Sequence, residues 1–322
     1  MRTVLAFTFT RLWSRAALVG ALLLVAHGAH ARGPEPGVSG IVAIEEGYTD
    51  NLRADARSPV DAFFTDLRGE ATWQRKPRGW LPHRLGALVH GRLYGQYTNR
   101  GFSEFGPSLG YDWDLVSLTV DYHYSPDRLR VDPATTADGF ADGHDLPIEF
   151  RSKFGKNKRW TALLELDSQW EFYDPPFRER SFFEETVEAG LRCRATKLVA
   201  ARASVAYAVR DAISENFDRE EVSVLFGFDL FLPGQVRSIF RYEKTWRNFL
   251  VGSPADPLCA QNNNCGREDD VNHFQTGLDV PVPGIETATF HFQYDYRDNA
   301  SSRRDRNYSV NEASLGLSYE FE

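Results

Sequence analysis

Cysteine and long hydrophobic runs are both scarce in this 322-residue chain. Three cysteines are too few for a cysteine-rich metal centre or a disulfide-dense scaffold. The longest apolar run covers eleven residues, 16–26, whereas a membrane-spanning helix needs about 20. If the chain enters a membrane, it must therefore do so as β-strands, which together with helices are the only elements that satisfy the backbone in lipid.

The N-terminus has the pattern of a secretory signal. Three arginines precede the apolar run, and an A-x-A cleavage site follows it at residues 29–31. We expect residues 1–31 to be removed, which leaves 32–322 as a single domain. The removed part carries three arginines and no acid, so the net charge changes from −8 to −8 − 3 = −11. This excess of acid argues against a nucleic-acid partner.

The cysteines predict one small disulfide and no metal site. Cys259 and Cys265 flank a polar stretch that is typical of a loop, and such a close pair is expected to form a disulfide in an oxidising compartment. Cys193 falls inside a predicted strand and is expected to be free. No further Cys or His lies near these residues with the spacing of metal ligands, and no cofactor is expected.

Apolar and polar residues alternate with a period of two from end to end, which predicts an all-β chain. The segments predicted as strands are 38–48, 63–75, 84–97, 104–114, 115–124, 145–154, 159–173, 182–195, 197–210, 219–231, 236–247, 271–282, 285–296 and 308–321. Most approach the length of about 9–11 residues that a tilted strand needs to cross a bilayer. The pattern predicts a transmembrane, up-and-down antiparallel β-barrel of about fourteen strands (twelve to sixteen), without a plug domain.

Two further observations favour a membrane barrel over a soluble sandwich. Short connections alternate with long polar ones, as periplasmic turns alternate with external loops in outer-membrane barrels. Aromatic residues also cluster at both ends of the apolar faces, where they would form belts at the two membrane interfaces. Trp73 and Trp160 mark the short-turn end, and Phe105 and Phe172 mark the long-loop end.

The last predicted strand carries a family resemblance. Ala313, Leu315, Leu317, Tyr319 and Phe321 alternate up to the penultimate residue. This pattern resembles the C-terminal aromatic strand of bacterial outer-membrane β-barrel proteins of the porin-like kind, although Glu322 follows the phenylalanine. The resemblance implies a location in the bacterial outer membrane. It also implies two partners: the barrel-assembly machinery, through the strand ending at Phe321, and the membrane lipid and lipopolysaccharide.

The polar faces of these strands predict a charged lumen. Predicted strands four, five and seven supply mainly acids, whereas strands eight, nine and eleven supply mainly arginine. Facing walls of opposite sign would set a transverse field across the pore, although the same residues could instead pair into a stiffening ion-pair network. The residues predicted to line the pore near mid-height are Arg92, Asp121, Glu165, Asp167, Arg202, Arg241 and Glu243.

These features favour a channel for passive diffusion of small hydrophilic solutes, including sugars or oligosaccharides, with connections 125–144 and 248–270 folding inward as gates. Two alternatives stay open, namely a barrel for export of exopolysaccharide or surface protein, and a barrel with a closed, structural lumen. A lipid-modifying enzyme is less favoured. No serine on the apolar faces has a histidine beside it, so we predict that the chain is not an enzyme.

Overall fold

Fourteen antiparallel strands account for most of the part of the chain that the structure describes. The computed structural model describes residues 37–51, 60–75, 82–95, 101–112, 115–131, 138–175, 177–214, 217–249, 267–302 and 306–321, without the side chains of 127–131, 138 and 139. The strands are β1 (Gly37–Thr49), β2 (Ala62–Gln74), β3 (Arg84–Tyr94), β4 (Phe102–Asp112), β5 (Val116–Asp121 and His123–Val131), β6 (Asp138–Phe154), β7 (Trp160–Tyr173), β8 (Phe182–Cys193), β9 (Val199–Ala212), β10 (Arg219–Phe231), β11 (Arg237–Phe249), β12 (Glu268–Val282), β13 (Ile285–Ser301) and β14 (Tyr308–Phe321). Short 3₁₀ turns occur at Lys156–Lys158, Arg178–Arg180 and Pro233–Gln235.

The sheet closes on itself. Each strand pairs antiparallel with its neighbours in the chain, and β14 pairs with β1 over ten residues, from Gly40 opposite Phe321 to Thr49 opposite Glu312. Closure removes the free strand edges that would otherwise be exposed. The predicted fold, an up-and-down barrel of fourteen strands, is confirmed.

The fifth strand is interrupted for one residue, and two prolines explain the interruption. Tyr122 lies opposite Pro107 of β4, and its amide donates to the Pro107 carbonyl at 3.0 Å. Proline has no N–H to return that bond. On the other side, the register places Pro147 of β6 opposite Asp121. A Cβ on Gly106 would lie 1.5 Å from the Tyr122 carbonyl oxygen, so the backbones approach closely here because residue 106 is glycine.

One predicted connection proved to be wrong. Residues 125–144 were expected to form a long gating loop, but β5 continues to Val131 and β6 begins at Asp138. A register shift between Ser125 and Arg128 accommodates Pro126, so the proline lies in an irregular part of the ladder. Most of the predicted gate is therefore barrel wall. In the second predicted gate, 248–270, the ends belong to β11 and β12, and residues 250–266 lie outside the described residues.

The barrel is apolar outside and polar inside. The outward face exposes large hydrophobic side chains on every part of the wall, among them Leu85, Phe105, Phe150, Leu166, Val205, Phe226, Phe292 and Leu315. The aromatic residues predicted to form belts follow this face, with Trp73 and Trp160 near one end and Phe105 and Phe172 near the other. Such a surface is stable only against hydrocarbon, so the chain is a transmembrane barrel. Within the described residues no helix is long and apolar enough to cross a bilayer.

Candidate functional site

A row of arginines crosses the lumenal wall between β8 and β11. Arg192 of β8 lies directly opposite Arg202 of β9, which lies opposite Gly227 of β10, which in turn lies opposite Arg241 of β11. Gly227 contributes no side chain, and the Cγ atoms of Arg202 and Arg241 lie 3.3 and 3.2 Å from where its Cβ would be. These residues form the basic row, in which the aliphatic stems of two arginines flank the space above one glycine.

The counterions of this row are few. Arg192 donates to Asp229 at 3.0 Å, and Arg237 donates to the same carboxylate at 3.1 Å. Arg241 donates to the neutral Gln275 at 3.0 Å. Neither Arg202 nor Arg241 forms an ion pair with any residue that the structure describes. Within the described residues, Arg202 and Arg241 of the basic row therefore present positive charge to the lumen without an ion-paired carboxylate.

A row of glutamates crosses the adjoining wall. Glu149 of β6 lies opposite Glu165 of β7, which lies opposite Glu188 of β8. Glu149 accepts a bond from Arg151 at 2.6 Å. Among the described residues Glu165 and Glu188 have no ion-pair partner. These three residues form the acidic row, and the two rows meet on β8, where Glu188 and Arg192 lie on the same lumenal face.

Two other groups of lumenal charges are paired. Arg92 of β3 binds Asp66 of β2 through two nitrogens, at 2.5 and 3.0 Å, and reaches Glu312 of β14 at 3.0 Å. Its guanidinium also lies 4.0 Å from the centre of the Phe64 ring. The predicted pore-lining Arg92 is thus engaged by two carboxylates, as the structural alternative requires.

A second paired network lies towards the long-connection end of β8 to β11. Glu184 accepts from Arg210 at 2.7 Å and from Arg219 at 3.2 Å. Arg219 contacts Glu221 at 2.5 Å, and Glu221 also pairs with Arg247 at 3.0 Å. Alternating cations and carboxylates stiffen this part of the wall, so the uncompensated rows are a local feature and not a general property of the lumen.

The other predicted site residues have different environments. Asp121 faces the lumen opposite Ser108. Asp167 lies one lumenal position above Glu165 on β7 and extends the acidic wall. Glu243 accepts from Thr245 at 3.4 Å and lies 3.9 Å from His273. The predicted disulfide between Cys259 and Cys265 falls outside the described residues, whereas Cys193 is free, as expected.

Three lumenal residues have the connectivity of a catalytic triad. His291 Nδ1 lies 2.9 Å from Asp279, and His291 Nε2 lies 2.6 Å from the Ser318 hydroxyl. This arrangement could not be read from the sequence, because the three residues come from three strands. Ser318 is only 3% exposed, however, and the strands on both sides pair with its backbone. Without an accessible hydroxyl or free N–H groups to hold an oxyanion, the geometry supports no nucleophilic step.

His144 is the one histidine found on the outer face of a described strand, although it was expected in a connection. Its Nδ1 lies 2.7 Å from the Tyr122 hydroxyl, and its ring stacks on Tyr124 with centroids 5.0 Å apart. Phe172 contacts the same ring edge-on. The cluster belongs to the aromatic belt at the long-connection end, and no serine or cysteine in the described segments hydrogen-bonds this imidazole.

Comparisons with known proteins agree with this architecture. No protein-family model matches the sequence, and no curated protein shows significant similarity to it. Solved structures with a similar arrangement include the outer membrane channel DcaP of Acinetobacter baumannii, with 11% identity, a TM-score of 0.48 and coverage of 91% of this chain and 100% of that one. An anion-selective porin from Comamonas acidovorans has 10% identity, a TM-score of 0.45 and coverage of 88% and 98%. OccK2 of Pseudomonas aeruginosa, solved in complex with glucuronate, has 10% identity, a TM-score of 0.46 and coverage of 88% and 97%.

The class of the protein follows from the closed meander, the apolar exterior and the charged interior. The chain has the architecture of a porin-like β-barrel of the bacterial outer membrane.

Proposed function

We propose that this protein is a channel for the passive diffusion of small hydrophilic solutes across the outer membrane. The observation that carries the proposal is the pair of uncompensated charge rows in the lumen. A barrel of fourteen strands is wider than the eight whose interior side chains can fill. Solutes would pass along adjoining strips of the lumenal wall that carry opposite charge and meet on β8.

Like charges placed directly opposite on neighbouring strands destabilise a sheet. In the acidic row this happens twice in succession, at Glu149–Glu165 and Glu165–Glu188. In the basic row it happens at Arg192–Arg202. A purely structural lumen would gain stability by alternating the signs, as the neighbouring paired network does. Retaining the repulsion is consistent with a role for the field that the rows create.

Polar, uncharged solutes such as sugars or short oligosaccharides suit such a lumen. Their hydroxyl groups donate to carboxylates and accept from guanidinium groups, so each row offers complementary bonds. Ions would be sorted by the balance between the two rows. In this proposal the width of the lumen and its electrostatic field select the solutes that pass, and the protein performs no covalent chemistry.

The test is the reversal potential of single channels in planar bilayers under a salt gradient. Reversing the basic row with Arg202→Glu and Arg241→Glu should shift the preference towards cations. Neutralising the acidic row with Glu165→Gln and Glu188→Gln should shift it towards anions. Both shifts should shrink in about 1 M salt, where the Debye length falls to about 3 Å.

Arg178→Glu provides the matched control, because Arg178 is exposed in the connection between β7 and β8. It changes charge outside the lumen and should move the reversal potential little. Folded protein that gives no conductance steps would refute the channel, as would absence of swelling in proteoliposomes supplied with small sugars. Conductance with equal selectivity in all variants would refute the role of the rows.

A further inference from the structure

A furrow runs along the lipid-facing surface beside the short-connection end of β9. Ala201 and Ala203 point outward from this strand, between taller neighbours on both sides. Ala203 lies opposite Leu191 of β8 and Phe226 of β10, while Ala201 lies opposite Cys193 and Phe228. Leu191 and Phe226 are 49% and 57% exposed, so they stand as walls above a floor of two methyl groups.

The furrow opens at the rim of the barrel next to Trp160 and Cys193. These two residues are opposite one another at the ends of β7 and β8, and Trp160 is 42% exposed. An indole at this height is typical of the membrane interface, where its ring meets the lipid and its N–H meets water. The opening of the furrow therefore lies at the level of lipid headgroups.

Two adjoining turns at this opening are basic. The turn between β6 and β7 carries Lys156, Lys158 and Arg159, and the turn between β8 and β9 carries Arg194 and Lys197. The two turns touch, since the Arg194 amide donates to the Arg159 carbonyl at 2.9 Å. All five side chains are exposed, and residues 155–159 and 194–198 contain no acid.

We propose that the furrow and the two basic turns form a binding site for an anionic glycerophospholipid of the periplasmic leaflet. The phosphodiester would bind the cations of the turns, and an acyl chain would lie in the furrow. Two independent features select this occupant. The apolar furrow requires a hydrocarbon, and the cations at its mouth require an anion, which a single amphiphile supplies together.

The neighbouring rim supports this choice by contrast. The turn between β10 and β11, residues 232–236, carries no charge, and the turn between β12 and β13 is Pro283-Gly284. The cations beside the furrow therefore lie on the turns between β6 and β7 and between β8 and β9, and not on these two neighbouring turns. A soluble anion would bind the charges but leave the furrow empty, and a second barrel would cover the furrow with its apolar wall but supply no anion to the basic turns.

The inference does not depend on the channel proposal, and its test measures lipid rather than conductance. The mature protein would be released from micelles containing equal amounts of phosphatidylglycerol and phosphatidylcholine, and its bound lipids counted by native mass spectrometry. We expect the wild-type barrel to retain phosphatidylglycerol preferentially. The variant Arg194→Gln with Lys197→Gln should lower that preference roughly twentyfold, since each cation near an anionic surface contributes a factor of about five.

Two further variants separate charge from shape. The exchange Arg194→Lys with Lys197→Arg keeps both charges and should keep the preference. Filling the furrow with Ala201→Phe and Ala203→Phe should lower retention of both lipids while leaving the turns intact. Soluble glycerophosphoglycerol, which carries the same phosphodiester without acyl chains, should compete poorly.

Equal retention of the two lipids by the wild-type protein would overturn the proposal. So would full competition by glycerophosphoglycerol, which would identify a site for soluble anions. Unchanged preference in the glutamine variant would show that the basic turns are not the headgroup site.

Discussion

The network around Arg92 makes a quantitative prediction about stability. Arg92→Met preserves most of the aliphatic stem but removes the guanidinium, which contacts two carboxylates and one aromatic ring. Side-chain exposures of 20% for Arg92, 12% for Asp66 and 25% for Glu312 place the network between a surface pair and a fully buried one. Surface pairs contribute about 0–1 kcal/mol, and breaking a buried pair costs about 3–5 kcal/mol. We therefore expect a loss of about 3 kcal/mol.

Most of that loss comes from the acids left behind. Asp66 and Glu312 would remain in the wall without the guanidinium that joins them, and Asp66 would keep only its 3.3 Å contact with His90 among the described residues. Asp66→Asn in the same chain should therefore recover part of the stability. The assay is equilibrium urea unfolding in detergent micelles, followed by tryptophan fluorescence. A double-mutant cycle of the two positions should give a coupling free energy of more than about 1 kcal/mol.

Arg68→Met is the matched control. Arg68 lies one lumenal position from Asp66 on the same strand, and its only ion-pair partner among the described residues is Glu70, at side-chain exposures of 59% and 37%. Its loss should change the free energy of unfolding by at most about 1 kcal/mol. If Arg92→Met and Arg68→Met have equal effects, the reasoning from burial is wrong.

Two further predictions concern the strand interruption and the triad-like residues. Gly106→Ala should lower the unfolding free energy by about 3 kcal/mol, because the new methyl would collide with the Tyr122 carbonyl. Gly95→Ala is the control, because no atom lies within 4 Å of its new methyl, and it should change the unfolding free energy little. Equal melting temperatures of the two variants would contradict this account. Ser318 should resist fluorophosphonate labelling, and Ser318→Ala should cost about 1 kcal/mol through its lost bond with His291. Labelling of the wild-type protein that disappears in the alanine variant would show an accessible nucleophile.

The barrel could be predicted from the sequence because its main determinant is local. Period-two alternation appears within single segments, as in Leu85, Ala87 and Val89 against His90 and Arg92 of β3, and closure follows from repeated short turns. The apolar face of each strand contacts lipid and not a protein core, so that face can be identified from the strand's own sequence, without knowledge of its distant partners. All fourteen predicted segments correspond to strands of the structure.

The charge rows could not be predicted, because they depend on register between strands. Glu165 and Arg202 were expected to line the pore, yet nothing within either segment shows that Glu165 has glutamates on both sides. A shift of two residues in one strand would break the row without changing any face. The triad-like contact of Ser318 is hidden for the same reason.

The extension of β5 and β6 was missed for a different reason. Pro126 and the glycines near His144 are typical of loops, and local propensity favours that interpretation. Pairing of β6 with the long strand β7 from Ala141 to Phe154 overrides it. His144 therefore joins the outer aromatic belt.

The seam between β1 and β14 has a kinetic consequence. Its hydrogen bonds join positions separated by almost the whole domain, as in the contact between Glu45 and Ser314, 269 residues apart. Such distant pairings carry a high entropic cost and form slowly. Until they form, the two terminal ribbons keep unsatisfied amides and carbonyls that invite association with other chains. During its passage through the aqueous periplasm this polypeptide should depend on a holding chaperone. The rate at which the barrel folds should be set by the pairing of β1 with β14.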